Sequence, residues 1–368
     1  MANIERKFKM DNLRLGMILS NDVIDDETGE IIALKDRPVD FDTLVRLKAF
    51  YMDVMDRKPD GGTAVDISEE DEAILSGSIP YLPEKERQNY VDFKNTYVSS
   101  FEKTKDLLGD IQMGVLPDVS ELGSVTDDII STVRRKSDVF AYLNYMNSLG
   151  SFVYDHSVCV SLVCRVFADW LRLSTDESDT LAAAGLLHDI GMLKIADNIV
   201  NKKEKLTHEE YMKITMHPTY GYNMLKDCDI ADEIKFAVLQ HHERIDASGY
   251  PNRLKYDQIH RFGKIIGIVD VFAAMIYDRP YREKFAPFEV IKTFEREFLG
   301  KLDTEFLMVF LQNIAYNYID RSVRLSNGKI GTIVFINKAQ CSAPIIKLED
   351  DNYIDLMFDK TVQIAEVL

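Results

Sequence analysis

The sequence predicts a mainly α-helical protein, with one helical domain flanked by a small N-terminal α+β module and a small C-terminal β module. Three observations carry that reading. Apolar residues recur at spacings of three and four through most of residues 122–318. Before that, residues 15–34 alternate apolar and polar about an Asp-Asp-Glu-Thr-Gly turn, the pattern of a hairpin. After Asp320 alternation returns about Asn327-Gly328, a second hairpin signal.

The elements follow in order. Residues 1–58 form the α+β module: the hairpin, then a short amphipathic helix in FDTLVRLKAFYM. Residues 59–121 are a connector and a helix. The stretch 58–80 is polar with Gly and Pro. Residues 82–113 carry a modest apolar stripe, suited to lying against a neighbouring element or to a dimer seam. Residues 122–318 form the helical domain, with periodic segments at 126–149, 153–172, 176–189, 207–226, 230–243, 257–277 and 286–316. Residues 319–368 form a small β-barrel or sheet, with further strands in LEDDNYIDLMF and TVQIAEVL.

Composition narrows the function. A net charge of −17 opposes general binding to DNA, RNA or a membrane surface, yet allows a small anionic ligand where bound metals reverse the local field. No apolar run reaches bilayer length, and MANIERKFKM lacks the apolar core of a signal peptide, so the chain reads as cytoplasmic. Cys159, Cys164, Cys228 and Cys341 contain no CxxC pair, which argues against a zinc ribbon or disulfide framework.

Five of the seven histidines, with two aspartates, have a spacing over about 115 residues that suits a two-metal hydrolase. They are His156, His188-Asp189, His217, His241-His242 and Asp270. Imidazole and carboxylate together are ligands for divalent metals, and paired metals are a common device against phosphate esters. His156 shares the stripe Val153, Val160, Val163 and Phe167, where a hydrogen-bonded core histidine is the bland alternative. His188-Asp189 ends the run LAAAGLL. His217, before Pro218, reads as lying near a helix C-terminus, where the dipole alone could hold it. His241-His242 follows FAVLQ, and two adjacent half-buried imidazoles need two partners. Asp270 lies in IIGIVDVFAAMI, where a carboxylate must be paired or metal-bound. Chance core placement of all seven is hard to sustain.

The segments LLHDIG (186–191), HHERIDASGYP (241–251) and DVFAAMIYDRPYR (270–282) resemble the HD-GYP family, a branch of the HD metal-dependent phosphohydrolases. The resemblance covers about residues 125–315. It implies an all-helical domain that hydrolyses the bacterial second messenger cyclic di-GMP to pGpG or GMP at a centre of two or three metals, often iron or manganese. Carried over by position, the metal ligands are His156, His188, Asp189, His217, His241, His242 and Asp270, with Asp189 bridging two metals and placing a shared hydroxide. Arg279 and Arg282 match positions that contact phosphate, as a planar guanidinium suits. Gly249-Tyr250-Pro251 is the signature loop, part rigid turn and part substrate contact through Tyr250.

Three departures bear on the chemistry. Phe152 stands where some members place a ligating glutamate, so two metals are expected, not three. Met192 replaces the usual lysine after HDIG, leaving Lys194 or a water to protonate the leaving oxygen. Ala247 stands where glycine is usual. A lost general acid costs about 10²–10⁴-fold in rate. An active phosphodiesterase is therefore one reading and a slow cyclic di-GMP receptor the other; an HD enzyme for another nucleotide is a third, opposed by the GYP and DRPYR segments. Other cyclic dinucleotides, pGpG as ligand, a homodimer and a signalling protein partner stay open.

Overall fold

The computed structural model describes residues 23–24, 31–33, 43, 47, 84–115, 119–146, 149, 151–202, 204–276 and 285–367. The chain divides into two compact units, 1–88 and 89–368. In the first unit, β1 (Val23–Ile24) pairs antiparallel with β2 (Ile31–Ala33), the hairpin expected about Asp-Asp-Glu-Thr-Gly. Thr43 and Leu47 are helical, as the predicted amphipathic segment requires; the rest of that segment and the 58–80 connector lie outside the described residues.

The helix α1 (Glu84–Gln112) enters the second unit and buries Tyr90, Phe93, Tyr97, Phe101, Thr104, Leu108 and Ile111. These positions step by three and four, so one face lies against its neighbours. Then follow α2 (Val119–Ser124), α3 (Asp127–Thr132) and α4 (Asp138–Tyr145). The predicted segment 126–149 is thus two helices. Val133 turns extended and closes α3, and α4 starts afresh at Asp138.

The centre of the fold is α5 (Phe152–Trp170), buried from Val158 to Ala168, packed on α6 (Thr175–Leu187). Ser174 and Glu177 form a capping box that fixes where α6 starts. Ser161 donates to Ala182 O at 2.8 Å across this contact. Arg165 ties α5 to α2, α3 and α6 through Gly123 O, Asp127 and Asp179. A tight turn, Ile190–Lys194, and a short α7 (Asp197–Val200) follow.

Next come α8 (His208–Ile214), α9 (His217–Leu225) and α10 (Asp232–Gln240). The sequence predicts one helix over 207–226, but it breaks at Thr215-Met216, because Pro218 favours the first turn of a new helix. The helix α11 (Arg261–Ile276) is buried along most of its length and packs on α5 and α10. The last predicted segment, 286–316, is also interrupted. It comprises α12 (Pro287–Thr293), a π-helical turn at Phe294–Phe298 and α13 (Thr304–Tyr316), with Gly300 at φ +82° in between. Phe140, Phe167, Trp170, Phe272 and Phe310 close one end of the helical core.

The C-terminal module is an open five-stranded antiparallel sheet, order β6-β5-β4-β3-β7. Its strands are β3 (Ser322–Leu325), β4 (Ile330–Phe335), β5 (Ile345–Leu348), β6 (Tyr353–Asp355) and β7 (Ile364–Val367). Val323, Leu325, Ile333, Ile346 and Leu348 are buried on one face, as period-two alternation demands. Among the described residues no helix is long and apolar enough to cross a membrane.

Candidate metal centre

Five helices and one tight turn converge on one buried cluster. His156 comes from the second turn of α5. His188 caps the C-terminus of α6, and Asp189 opens the following tight turn. His241 caps the C-terminus of α10, with His242 next. Asp270 projects from the middle of α11. His217 is the first residue of α9, so it opens a helix and does not close one as its sequence context suggested. A helix C-terminus carries partial negative charge. Two of them, those of α6 and α10, end at the cluster and favour a cation there.

All seven predicted ligand positions meet. His217 Nε2 is 3.0 Å and His241 Nε2 3.6 Å from Asp189 Oδ1, while His188 Nε2 is 3.6 Å from Asp189 Oδ2. His156 Nε2 is 3.0 Å from Asp270 Oδ1, and His242 Nδ1 is 3.6 Å from Asp270 Oδ2. Two groups have ligand atoms mutually within 4.8 Å: His156, His188 and Asp189, and Asp189, His217, His241 and His242. Asp189 belongs to both.

Backbone carbonyls orient three imidazoles. The Nδ1–H of His188 donates to Gly185 O at 2.7 Å, that of His217 to Ile214 O at 2.7 Å, and that of His241 to Val238 O at 2.9 Å. Each bond reaches three residues back and leaves Nε2 facing the cluster, as in metal-binding histidines whose other ring nitrogen is held by a carbonyl. The fit to cations is direct. His188 Nε2 is buried with no hydrogen-bond partner. His217 Nε2 and His241 Nε2 face each other at 3.2 Å, and two lone pairs at that distance require a proton or a cation between them.

The electrostatics agree. Burial lowers His188 to about 4 and holds His242 well below its ordinary range, so both present neutral, lone-pair-bearing rings at neutral pH. Burial also pulls on His217, but the charge of Asp189 and the bond to it outweigh burial and raise it. Asp189 and Asp270 are both buried, which disfavours their charge, yet the surrounding imidazoles hold both well below the usual carboxylate range. Asp155, beside His156, is engaged elsewhere: it accepts from Tyr97 Oη at 3.0 Å and Leu149 N at 3.1 Å.

The loop after His242 is held by residues that the sequence reading passed over. Buried Glu243 accepts from Asn252 N at 2.7 Å and Leu254 N at 2.8 Å, closing the turn. Arg244 donates to His241 O at 3.1 Å and Glu243 O at 2.9 Å. Ala247 sits at φ +62°, in the left-handed region. Gly249 lies against the backbone of residues 242–244, where a Cβ would overlap. Tyr250 stacks on His242 with centroids 4.6 Å apart and planes 29° apart, so its ring buttresses a ligand-type histidine. The only sequence signal for Glu243 was its place in the HHER run. Met192 is buried in an apolar cluster with Val153, Ile195 and Ile199, and Lys194 is exposed at the end of the same turn. Arg279 and Arg282 lie outside the described residues.

The HD domain family matches residues 137–305, the stretch that holds every one of the seven ligand-type side chains. Over those residues the chain is similar to HD domains, as its HD segment led one to expect. Similar curated proteins are named as phosphodiesterases of cyclic dinucleotides. The chain is 30% identical over 240 residues to cyclic di-GMP phosphodiesterase PA4108 of Pseudomonas aeruginosa, covering 65% of this chain and 58% of that one. It is 34% identical over 179 residues to 3′3′-cGAMP-specific phosphodiesterase 1 of Vibrio cholerae, covering 48% and 41%. It is 28% identical over 214 residues to cyclic di-GMP phosphodiesterase PdeB of Borreliella burgdorferi, covering 56% and 55%. The chain thus spans between two fifths and three fifths of these relatives' lengths.

Proposed function

We propose that this chain is a metal-dependent phosphodiesterase that hydrolyses cyclic di-GMP to pGpG, GMP or both, with two divalent cations, iron or manganese, at the His/Asp cluster. One observation carries the reading: Asp189 is shared by two ligand groups whose imidazoles are already turned inward by their backbone bonds. Bound there, a pair of divalent cations supplies an acidified water and neutralises phosphate charge. Asp189 spans both positions and orients the attacking water's site. His188, His217 and His241 keep their tautomers because Nδ1–H is committed to carbonyls, so no reorganisation accompanies binding. Tyr250 holds His242 in place by stacking. Arg279 and Arg282 are the chain's candidates for the phosphate oxygens. Lys194, exposed at the end of the 190–194 turn, is its candidate proton source for the leaving oxygen. The relatives named as phosphodiesterases of cyclic di-GMP and of 3′3′-cGAMP support a cyclic dinucleotide as the substrate.

The test is turnover by the full chain loaded anaerobically with ferrous iron or manganese, with metal counted in the same sample. Two metals per chain with steady release of pGpG or GMP supports the enzyme. Two metals with tight cyclic di-GMP binding and no product supports the second reading, a receptor, which Met192 favours by lacking a transferable proton. Met192→Lys separates them further. A large rise in turnover without tighter binding marks the native protein as catalytically slow. Because position 192 is apolar, the same change also lowers stability.

A further inference from the structure

A cavity of about 380 Å³ lies where the helical domain meets the C-terminal sheet, on elements that carry none of the ligand-type side chains. Its size falls in the range of small-molecule sites, about 300–1,000 Å³. One wall is α12 with the π-helical turn after it, and the other is the loop 340–343 with the segment 356–365 that leads into β7. π-Helical turns are rare and recur at functional sites. Two contacts hold the walls together. Ser342 N donates to Glu295 Oε1 at 3.2 Å and Ser342 Oγ donates to Glu295 Oε2, while Lys292 Nζ donates to Gln363 Oε1 at 3.2 Å. The floor is apolar, with Phe288, Ala343 and Leu356 buried there.

Three cations line this cavity: Lys292, Arg296 and Lys360. Lys292 and Arg296 stand four residues apart, where like charges on a helix repel. Among the described residues none of the three has an ion pair. Lys292 has the neutral amide of Gln363, and Lys360 has the carbonyl of Leu356 at 3.1 Å. The Arg296 guanidinium has no hydrogen-bond partner among the described residues. The chain holds 61 acidic residues against 44 basic ones, so carboxylate partners are plentiful. Two of them, Glu289 and Glu297, line the same cavity and still pair with none of these cations. The lining thus offers separate donors and acceptors over an apolar floor.

We propose that this cavity is a binding site for a nucleoside monophosphate. Each part of the lining has a counterpart in such a ligand. The phosphate takes paired N–H bonds from Arg296, with Lys292 and Lys360 as point charges beside it. The base covers the apolar floor of Phe288, Ala343 and Leu356. Ribose hydroxyls and ring N–H groups donate to Glu289 and Glu297. Inorganic phosphate uses the cations alone and is repelled by both carboxylates. A nucleoside without phosphate uses only the floor and the carboxylates. The site shares no residue with the His/Asp cluster, so its binding does not depend on the reaction proposed above.

The experiment measures binding of GMP, guanosine and inorganic phosphate to the manganese-loaded full chain by equilibrium dialysis, for native protein and for Arg296→Gln. Hydrogen exchange is followed with and without GMP. GMP held by the metals is common to both proteins and is subtracted. The expected result is that GMP binds native protein more tightly than guanosine or phosphate does. Arg296→Gln should raise the Kd of GMP about tenfold to hundredfold, as loss of a charge-assisted hydrogen bond does, and leave guanosine binding unchanged. GMP should slow exchange within 287–298 and 356–365. Arg296 is exposed and lies outside the cluster, so the melting curve and hydrolysis of bis(p-nitrophenyl) phosphate stay native in the variant. Equal GMP affinity in both proteins, or protection confined to the cluster, overturns the site. Phosphate bound as tightly as GMP overturns the nucleotide as its ligand. Native protein that shows Arg296-dependent GMP binding but does not cleave cyclic di-GMP overturns the proposed function and leaves this site standing.

Discussion

At Ala247 a side chain occupies backbone that suits glycine. A left-handed φ of +62° costs an L residue about 1–2 kcal/mol, while glycine adopts it freely but loses more entropy on folding. The balance predicts that Ala247→Gly stabilises the protein by about 0.5–1 kcal/mol, read as a shift in denaturant midpoint at constant slope. The histidines set a pH dependence at the same scale. His188 is lowered from 6.5 to about 4, so between those values the unfolded chain binds a proton that the folded chain refuses. Stability from this group is complete above pH 6.5 and is lost as pH falls toward 4. His242 acts in the same sense, and His217, which is raised, acts in the opposite one. For protein stripped of metal, the expected outcome is an unfolding free energy that falls between pH 6.5 and 4. A flat profile there would contradict two buried neutral imidazoles.

Between elements, the centre depends on how closely the 190–194 turn approaches α9. A Cβ at Gly191 would overlap the carbonyl oxygen of His217 and crowd Gly221 N. Neither partner is a flexible side-chain tip, so Gly191→Ala must move α9 relative to the turn carrying Asp189. We expect a loss of about 3 kcal/mol or more and reduced metal content, checked by thermal unfolding and elemental analysis. Retained stability with full metal content would show that α9 can shift without disturbing His217. Gly267 plays the same part against His241 O, where a Cβ would come within 2.7 Å. Glycine at these two crossings lets helices that carry ligands approach backbone to backbone.

Across the whole chain, metal affinity and stability are one quantity for the unit 89–368, because the ligands come from elements distant in sequence and meet only when it folds. Cation at 100 to 1,000 times its dissociation constant adds about 3–4 kcal/mol to that unit. Calorimetry with manganese and with chelator should therefore shift the transition of the larger unit upward with metal. An unmoved transition would mean that the cations bind unfolded chain equally well or not at all.

Much of this was legible in the residues themselves. Asp270 stood out because a carboxylate in an apolar helix must find a partner, the HD and HH pairs marked four more positions, and His156 and His217 entered through the combined set and the family resemblance. The hairpin turns and the switch to strands after Asp320 were equally plain, since period-two alternation is a local property. The breaks within 126–149, 207–226 and 286–316 were less so, because helical periodicity can continue across a cap. The placement of His217 at a helix start followed from one such break. Glu243 and Gly191 emerge only in three dimensions. Their roles lie in a backbone amide nine residues away and a carbonyl on another helix. The sequence by itself determined which side chains could hold a cation, because ligand chemistry belongs to the residue. Only the tertiary structure decided which ring nitrogen faces inward, because that depends on carbonyls and crossings that exist once the helices have packed.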